Sequence, residues 1–342
     1  MKDSSIAPFV AGSLAICSSI ALNAQNPGAV EQAQQNNLRR QTQQSLLEPF
    51  GGAETAPELF PGENADVGPQ SILKIKPRRR YVDLLADWQY FYTSNTYLQE
   101  RGNGSSPVET GLMVSTIQLA LAPDPYPLFG KPFSPRIGFR HQWYNYGLED
   151  SSRILPRLDF DAQTVFTDLR YNVSKTWRVE AGLDWNRLLT HWPSSSDYTE
   201  FYREWAPRWG VTKWFPVNDK IFVNASYQGI YHFANSDPPI NTSSRASNDR
   251  LDNILTVSYI HAFGQHFVAQ PFYRFMVTEY THAQRSRTDQ LHTLGFQAGW
   301  FFNDKLSVRA FISWDAKESS DPIQPDYRKL DVGGGINFNY RF

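Results

Sequence analysis

Along most of the chain, apolar and polar residues alternate one by one. In "WRVEAGLDWNRLL", Trp177, Val179, Ala181, Leu183 and Trp185 share one parity, and Arg178, Glu180, Gly182, Asp184 and Asn186 share the other. A period of two is the mark of a strand with one apolar and one polar face. The same pattern sets Val82, Leu84, Ala86, Trp88, Tyr90 and Tyr92 against Asp83, Asp87 and Gln89. It recurs in "KLSVRAFISWD", where Leu306, Val308, Ala310, Ile312 and Trp314 oppose Ser307, Arg309, Ser313 and Asp315. The final stretch, "VGGGINFNYRF", is two-faced in the same way. Counting on this rhythm predicts about twelve strands, near 82–97, 110–122, 136–149, 157–171, 176–190, 203–216, 220–234, 250–262, 265–280, 289–302, 305–317 and 328–342.

Turns join these strands with a marked asymmetry. Short connections recur at "NVSK" from Asn172, "VNDK" from Val217, "FGQH" from Phe263 and "NDK" from Asn303. Between them lie long polar stretches such as "HWPSSSDYTEF", "ANSDPPINTSSRASND" and "KESSDPIQPDY". The second and third strands are joined instead by the Pro-rich "PDPYPLFGKPFSP". Short turns at one end and long loops at the other predict antiparallel hairpins running around a barrel.

The polar parity decides which way the faces point. It carries Arg178, Glu180, Asp184, Asn186, Asn224, Gln228, Gln270, Arg274, Gln297, Arg309, Asp315, Asn337 and Arg341. Such residues cannot form a dry core, because each buried unpaired charge costs several kcal/mol. The apolar parity is therefore expected to face lipid and the polar parity a lumen. Closure removes sheet edges that hydrocarbon would not tolerate. Trp177, Trp214, Phe215, Trp300, Phe301, Phe302 and Trp314, close to strand ends, are expected in interfacial girdles.

Composition sharpens this picture. The 342 residues are hydrophilic on average yet 15% aromatic, which fits alternating strands better than helical spans. With 33 basic and 34 acidic residues there is no bulk basic field, which argues against nucleic acid as a partner. The first 24 residues, "MKDSSIAPFVAGSLAICSSIALNA", have the layout of a signal peptide cleaved after Ala24, and the single cysteine, Cys17, lies within it. Residues 25–80 are Gln/Asn-rich, then Gly-, Pro- and acid-rich, and end on Arg78, Arg79 and Arg80. They are expected to form a low-complexity tether rather than a plug or docking arm.

The exported layout, the strands through Phe342, and the last strand with Ile336, Phe338, Tyr340 and Phe342 together resemble a Gram-negative outer-membrane β-barrel protein of porin-like kind. The fold expected is all-β: an antiparallel transmembrane barrel of about twelve strands over residues 81–342, with an irregular N-terminal periplasmic extension. The resemblance implies that Ile336, Phe338, Tyr340 and Phe342 act as the signal read by the barrel-assembly machinery. It also implies contact with outer-membrane lipids and lipopolysaccharide.

Enzymatic readings find little support in the residues. Outer-membrane phospholipases place a Ser two residues after a His on one strand face, but here Trp143 follows His141 at that spacing. Asp159 and Asp161 could be drawn as an omptin-like protease pair, and His191, Ser194 and Asp197 as a loop triad; neither has a scaffold in the sequence. His261 and His266 flank a turn without a metal-ligand spacing. No catalytic residue, metal ligand or cofactor is assigned. The lumen carries the best candidates: Arg178, Glu180, Asp184, Arg274 and Arg309 are expected to set selectivity in a narrow channel for passive diffusion of small hydrophilic solutes. The alternatives are a closed structural or adhesive barrel and, less favoured, an outer-membrane lipase or protease.

Overall fold

The first long strand pairs with the last, and this contact closes the sheet into a ring. The computed structural model describes residues 25–44, 81–100, 107–148, 158–190, 198–236, 247–264, 266–283 and 285–342. Twelve long antiparallel strands form the barrel: β1 (Val82–Thr93), β2 (Thr110–Leu121), β4 (Lys131–Tyr146), β5 (Phe160–Asn172), β6 (Trp177–Thr190), β7 (Thr199–Asn218), β8 (Ile221–Ser236), β9 (Arg250–Phe263), β10 (Phe267–Tyr280), β11 (Arg287–Phe301), β12 (Leu306–Ser319) and β13 (Tyr327–Arg341). A three-residue strand, β3 (Tyr126–Leu128), folds back on the start of β4 through a turn at Phe129 and Gly130. Each long strand pairs with its sequence neighbour, β2 with β4 past the small hairpin.

The expected strands are all present, with shifted ends. β4 begins at Lys131, before the predicted start, because Pro132 and Pro135 lie within pairing strand and do not mark a loop there. β7 runs for 20 residues and carries Pro207 opposite Leu183. The closing seam runs from Asp83 opposite Arg341 to Thr93 opposite Asp331. It is finished by Phe342, whose N–H donates to the Val82 carbonyl while its own carbonyl accepts from Tyr81 and Val82.

The two parities face as the alternation predicts. Trp88, Tyr90, Trp177, Val179, Leu183, Ile312, Trp314 and Ile336 are exposed on the outer surface. Asp87, Gln89, Gln270, Arg274, Gln297 and Asp315 are buried in the interior. Two expected girdle residues are corrected. Trp214 lines the lumen beneath the Arg178 guanidinium, and Phe301 packs against a buried cluster of Ile260, Ala262 and Val268. Both share the parity of the polar face, so strand geometry turns them inward.

The interior is not empty. Residues 25–44, expected within an irregular tether, form the helix α1 (Gln25–Gln44) inside the barrel. At 1.5 Å per residue it extends about 30 Å, comparable to the thickness of a bilayer core. Pro27 falls in its first turn, where a missing N–H costs nothing. From Val30 to Gln44 the sequence has neither Gly nor Pro and is rich in Gln, Asn and Arg. A helix that is polar nearly all round has no apolar stripe for an ordinary core. A polar lumen satisfies it instead. Residues 1–24 and 45–80, including Arg78 to Arg80, lie outside the described residues, as does the loop with His191, Ser194 and Asp197.

Candidate functional site: the lumen between helix and wall

α1 runs from the long-loop end of the barrel towards the short-turn end, and its contacts change along the way. Near the long loops, Ala29 and Ala33 pack in a cluster with Phe91, Tyr144, Tyr146, Phe160, Leu188 and Phe311. Gly333 makes room for this packing: a Cβ there would stand 2.2 Å from the Phe91 Cβ across the seam. Lower down, Leu38 meets Ile230, Ile254, Met276 and Leu291. The lumen is thus more apolar in its upper half than the polar parity alone predicts.

Polar contacts fill the rest. Arg39 pairs with Asp331 at 2.5 Å and lies over the rings of Phe311 and Phe91, 4.3 and 4.7 Å from their centroids. Asp331 also meets Lys329 at 3.2 Å, and Lys329 reaches Asp315 at 3.5 Å. Asn36 donates to the Tyr144 hydroxyl at 3.1 Å, and Gln35 to the Tyr327 hydroxyl at 2.8 Å. Glu31 accepts from Tyr327 and pairs with Lys317 at 3.4 Å.

A second network lies on the wall under Gln34. His232 stands between two carboxylates, Nδ1 at 2.8 Å from Glu204 and Nε2 at 2.9 Å from Asp252. Arg250 approaches Asp252 at 3.7 Å, Tyr202 donates to Glu204, and Gln34 donates to Asp252. Thr278 donates to the other Asp252 oxygen at 2.7 Å. Charge and hydrogen bonds are matched here, as burial of this many ionisable groups requires. Glu204, His232, Arg250 and Asp252 come from three strands, and nothing in the sequence marks them as neighbours.

Below α1, towards the short turns, a cavity of about 180 Å³ opens. Of the five expected lumen residues, Arg178, Glu180, Asp184 and Arg274 line it, while Arg309 lines an adjoining recess of about 300 Å³. Arg178 and Arg170 share Glu180, at 3.7 and 4.0 Å. Asp184 accepts from Arg208 at 3.2 Å, and Arg208 also pairs with Asp168. Arg309 pairs with Asp87 at 2.7 Å. Arg274 holds the end of α1, donating to the Leu38 carbonyl at 2.9 Å and to the Thr42 hydroxyl. Gly182 and Gly295 lie against the Arg208 guanidinium and the Phe272 ring, where a Cβ would meet them at 2.7 and 2.2 Å.

The candidate enzyme groups resolve differently. His141 faces outward, with Nε2 3.1 Å from Asp161, which also accepts from the Tyr198 hydroxyl at 2.8 Å. Asp159 instead accepts from the Tyr146 N–H at 2.7 Å. His261 stacks on Phe263 and His266 on Trp300. Among the described residues no group of His, Cys, Asp and Glu is arranged to hold a metal ion.

No family model matches the chain, and no curated protein matches it in sequence. Solved structures do match. An outer membrane channel from Pseudomonas putida F1 aligns over 80% of this chain and 100% of its own, with TM-score 0.51 and 10% identity. The transport unit of the autotransporter AIDA-I from Escherichia coli aligns over 78% of this chain and 93% of its own, with TM-score 0.47 and 7% identity. The β domain of the Bordetella autotransporter BrkA aligns over 76% and 100%, with TM-score 0.45 and 8% identity. At these identities the likeness is one of fold. The closed ring, the outward aromatic face and the polar interior, with the likeness to the Pseudomonas putida channel, make this chain a twelve-stranded antiparallel barrel with the fold of the outer-membrane β-barrel proteins.

Proposed function

We propose that this chain is an outer-membrane channel for passive diffusion of small hydrophilic solutes, with α1 as a plug in its lumen. The observation that supports this reading is the independence of wall and helix. Every ladder of the ring joins strand to strand, and α1 contributes to none of them. Its polar contacts are side-chain hydrogen bonds and ion pairs that lie outside those ladders. Removing α1 would leave a complete barrel with a lumen lined by Arg178, Glu180, Asp184, Arg274 and Arg309, the residues proposed to set selectivity. Export through a cleaved leader of residues 1–24, insertion by the barrel-assembly machinery through Ile336, Phe338, Tyr340 and Phe342, and contact with lipopolysaccharide belong to the same reading.

A second reading is a sealed structural or adhesive barrel. The observation in its favour is the apolar cluster that Ala29 and Ala33 make with the wall, which water does not replace without cost. Liposome swelling separates the two. Vesicles carrying the chain without residues 25–44 are expected to swell in small sugars and amino acids, faster than vesicles carrying the full chain. Impermeability of both would leave the sealed barrel as the better account.

A further inference from the structure

Arg40 is the unusual residue of the lumen. It is 5% exposed, and among the described residues neither of its terminal guanidinium nitrogens has a hydrogen-bond partner. It lies between the two short-turn cavities and lines both. Its charged neighbours on the wall are Arg140, Arg309 and Asp87. The one carboxylate among them, Asp87, is engaged by Arg309 at 2.7 Å.

The rest of the cavity adds to this excess. Seven arginines line it against three carboxylates, Asp168, Glu180 and Asp184. Those three are taken up by Arg208, Arg170 and Arg178. Among the described residues, Arg140 donates only to the Thr164 hydroxyl, at 3.4 Å, and its Nε is unpartnered. Arg274 donates to neutral oxygens of α1, and its Nε is unpartnered too. Among the described residues, Arg40, Arg140 and Arg274 have no ion-pair partner. A buried guanidinium without an acceptor is strongly unfavourable, and its fork of donors suits an oxyanion with two or more oxygens.

We propose that the cavity beneath α1 is a binding site for a small oxyanion, the phosphate or carboxylate group of a solute, held by Arg40 of the helix and Arg140 of the wall. The ligand would bridge plug and barrel, since its two principal donors belong to different elements. The site does not depend on whether the barrel conducts: a sealed barrel could bind the same anion.

The test is a calorimetric titration of the full chain in detergent micelles with inorganic phosphate, at constant ionic strength set by sodium chloride. One saturable site is expected. Arg40→Gln should weaken it at least tenfold, Arg40→Lys less, and Lys220→Gln, on an exposed turn, not at all. Competition by succinate would extend the site to carboxylates; its failure would restrict the site to phosphate, and both outcomes support an oxyanion site. Folding of each variant is checked by heat-modifiable gel mobility, and Arg140→Gln reads the same loss should Arg40→Gln not fold. Absence of saturation by either anion, or phosphate affinity unchanged in Arg40→Gln and Arg140→Gln, would overturn the proposal. Because binding is read without a membrane, its failure is separate from any failure to conduct.

Discussion

Arg39 of α1 and Asp331 of β13 form an ion pair of 2.5 Å in the middle of the lumen, with the carboxylate fully buried. The partners are not equivalent. Asp331 also serves Lys329 at 3.2 Å, so it is the shared counter-charge of two cations.

Asp331→Asn is therefore expected to loosen α1 more than Arg39→Gln. Breaking a buried pair by removing one partner costs about 3–5 kcal/mol, which corresponds to roughly a hundredfold or greater gain in local opening. Arg39→Gln leaves Asp331 paired with Lys329 and should cost less. Amide hydrogen exchange across α1 reads both. Equal protection in wild type and Asp331→Asn would contradict the assignment.

The closing seam gives a steric prediction. Gly333 stands opposite Phe91, and a Cβ there would meet the Phe91 Cβ at 2.2 Å and the Tyr90 carbonyl oxygen at 2.4 Å. Gly210 is looser, with its nearest contact at 3.1 Å. Gly333→Ala should destabilise the barrel by about 1–3 kcal/mol through overpacking, and Gly210→Ala by less. The temperature at which the folded band disappears on heat-modifiable gels ranks the two, and the reverse order would refute the argument.

Phe342 ends the seam with backbone bonds to Tyr81 and Val82. Its deletion removes three such bonds, each worth about 1 kcal/mol net, together with an outward aromatic ring. Folded yield in lipid vesicles should fall more than for deletion of any residue in the long loops. An undiminished yield would count against a role for the last residue in closure and assembly.

Asp159 sits just beyond the long-loop end of β5, and burial pushes its carboxyl up to about 6, despite the hydrogen bond from the Tyr146 N–H. The folded value lies above the ordinary 3.8, so the fold favours the protonated form. That contribution is complete below pH ~4 and is lost as pH rises through about 6. The protection factor of the Tyr146 amide, its exchange rate corrected for the intrinsic rate at each pH, should fall over this window, and Asp159→Asn should flatten that dependence. A profile unchanged by the substitution would place its cause elsewhere.

How much of this was legible in the sequence follows from which contacts are local. Trp177 to Trp185 alternate within one strand, and the outward face of β6 can be read from nine consecutive residues. The seam was legible as well, because a ring must pair its first strand with its last. α1 was not. Its Gln, Asn and Arg side chains resemble those of a solvated tether, and only the complementary lumen, supplied by residues such as Asp331 and Tyr327 nearly 300 positions away, holds it as a helix inside the barrel. The group of Glu204, His232 and Asp252 is invisible in the sequence for the same reason, since its members meet across neighbouring strands. For Trp214 and Phe301, aromatic character near a strand end suggests a girdle, but strand parity turns both rings inward.

The most direct test of a plugged channel is single-channel recording in planar bilayers, comparing the full chain with the chain lacking residues 25–44. Discrete conductance steps are expected for the shortened barrel, with rare or much smaller steps for the full chain. Silence from both, with folded protein verified in the bilayer lipid, or equal conductance from both, would contradict it.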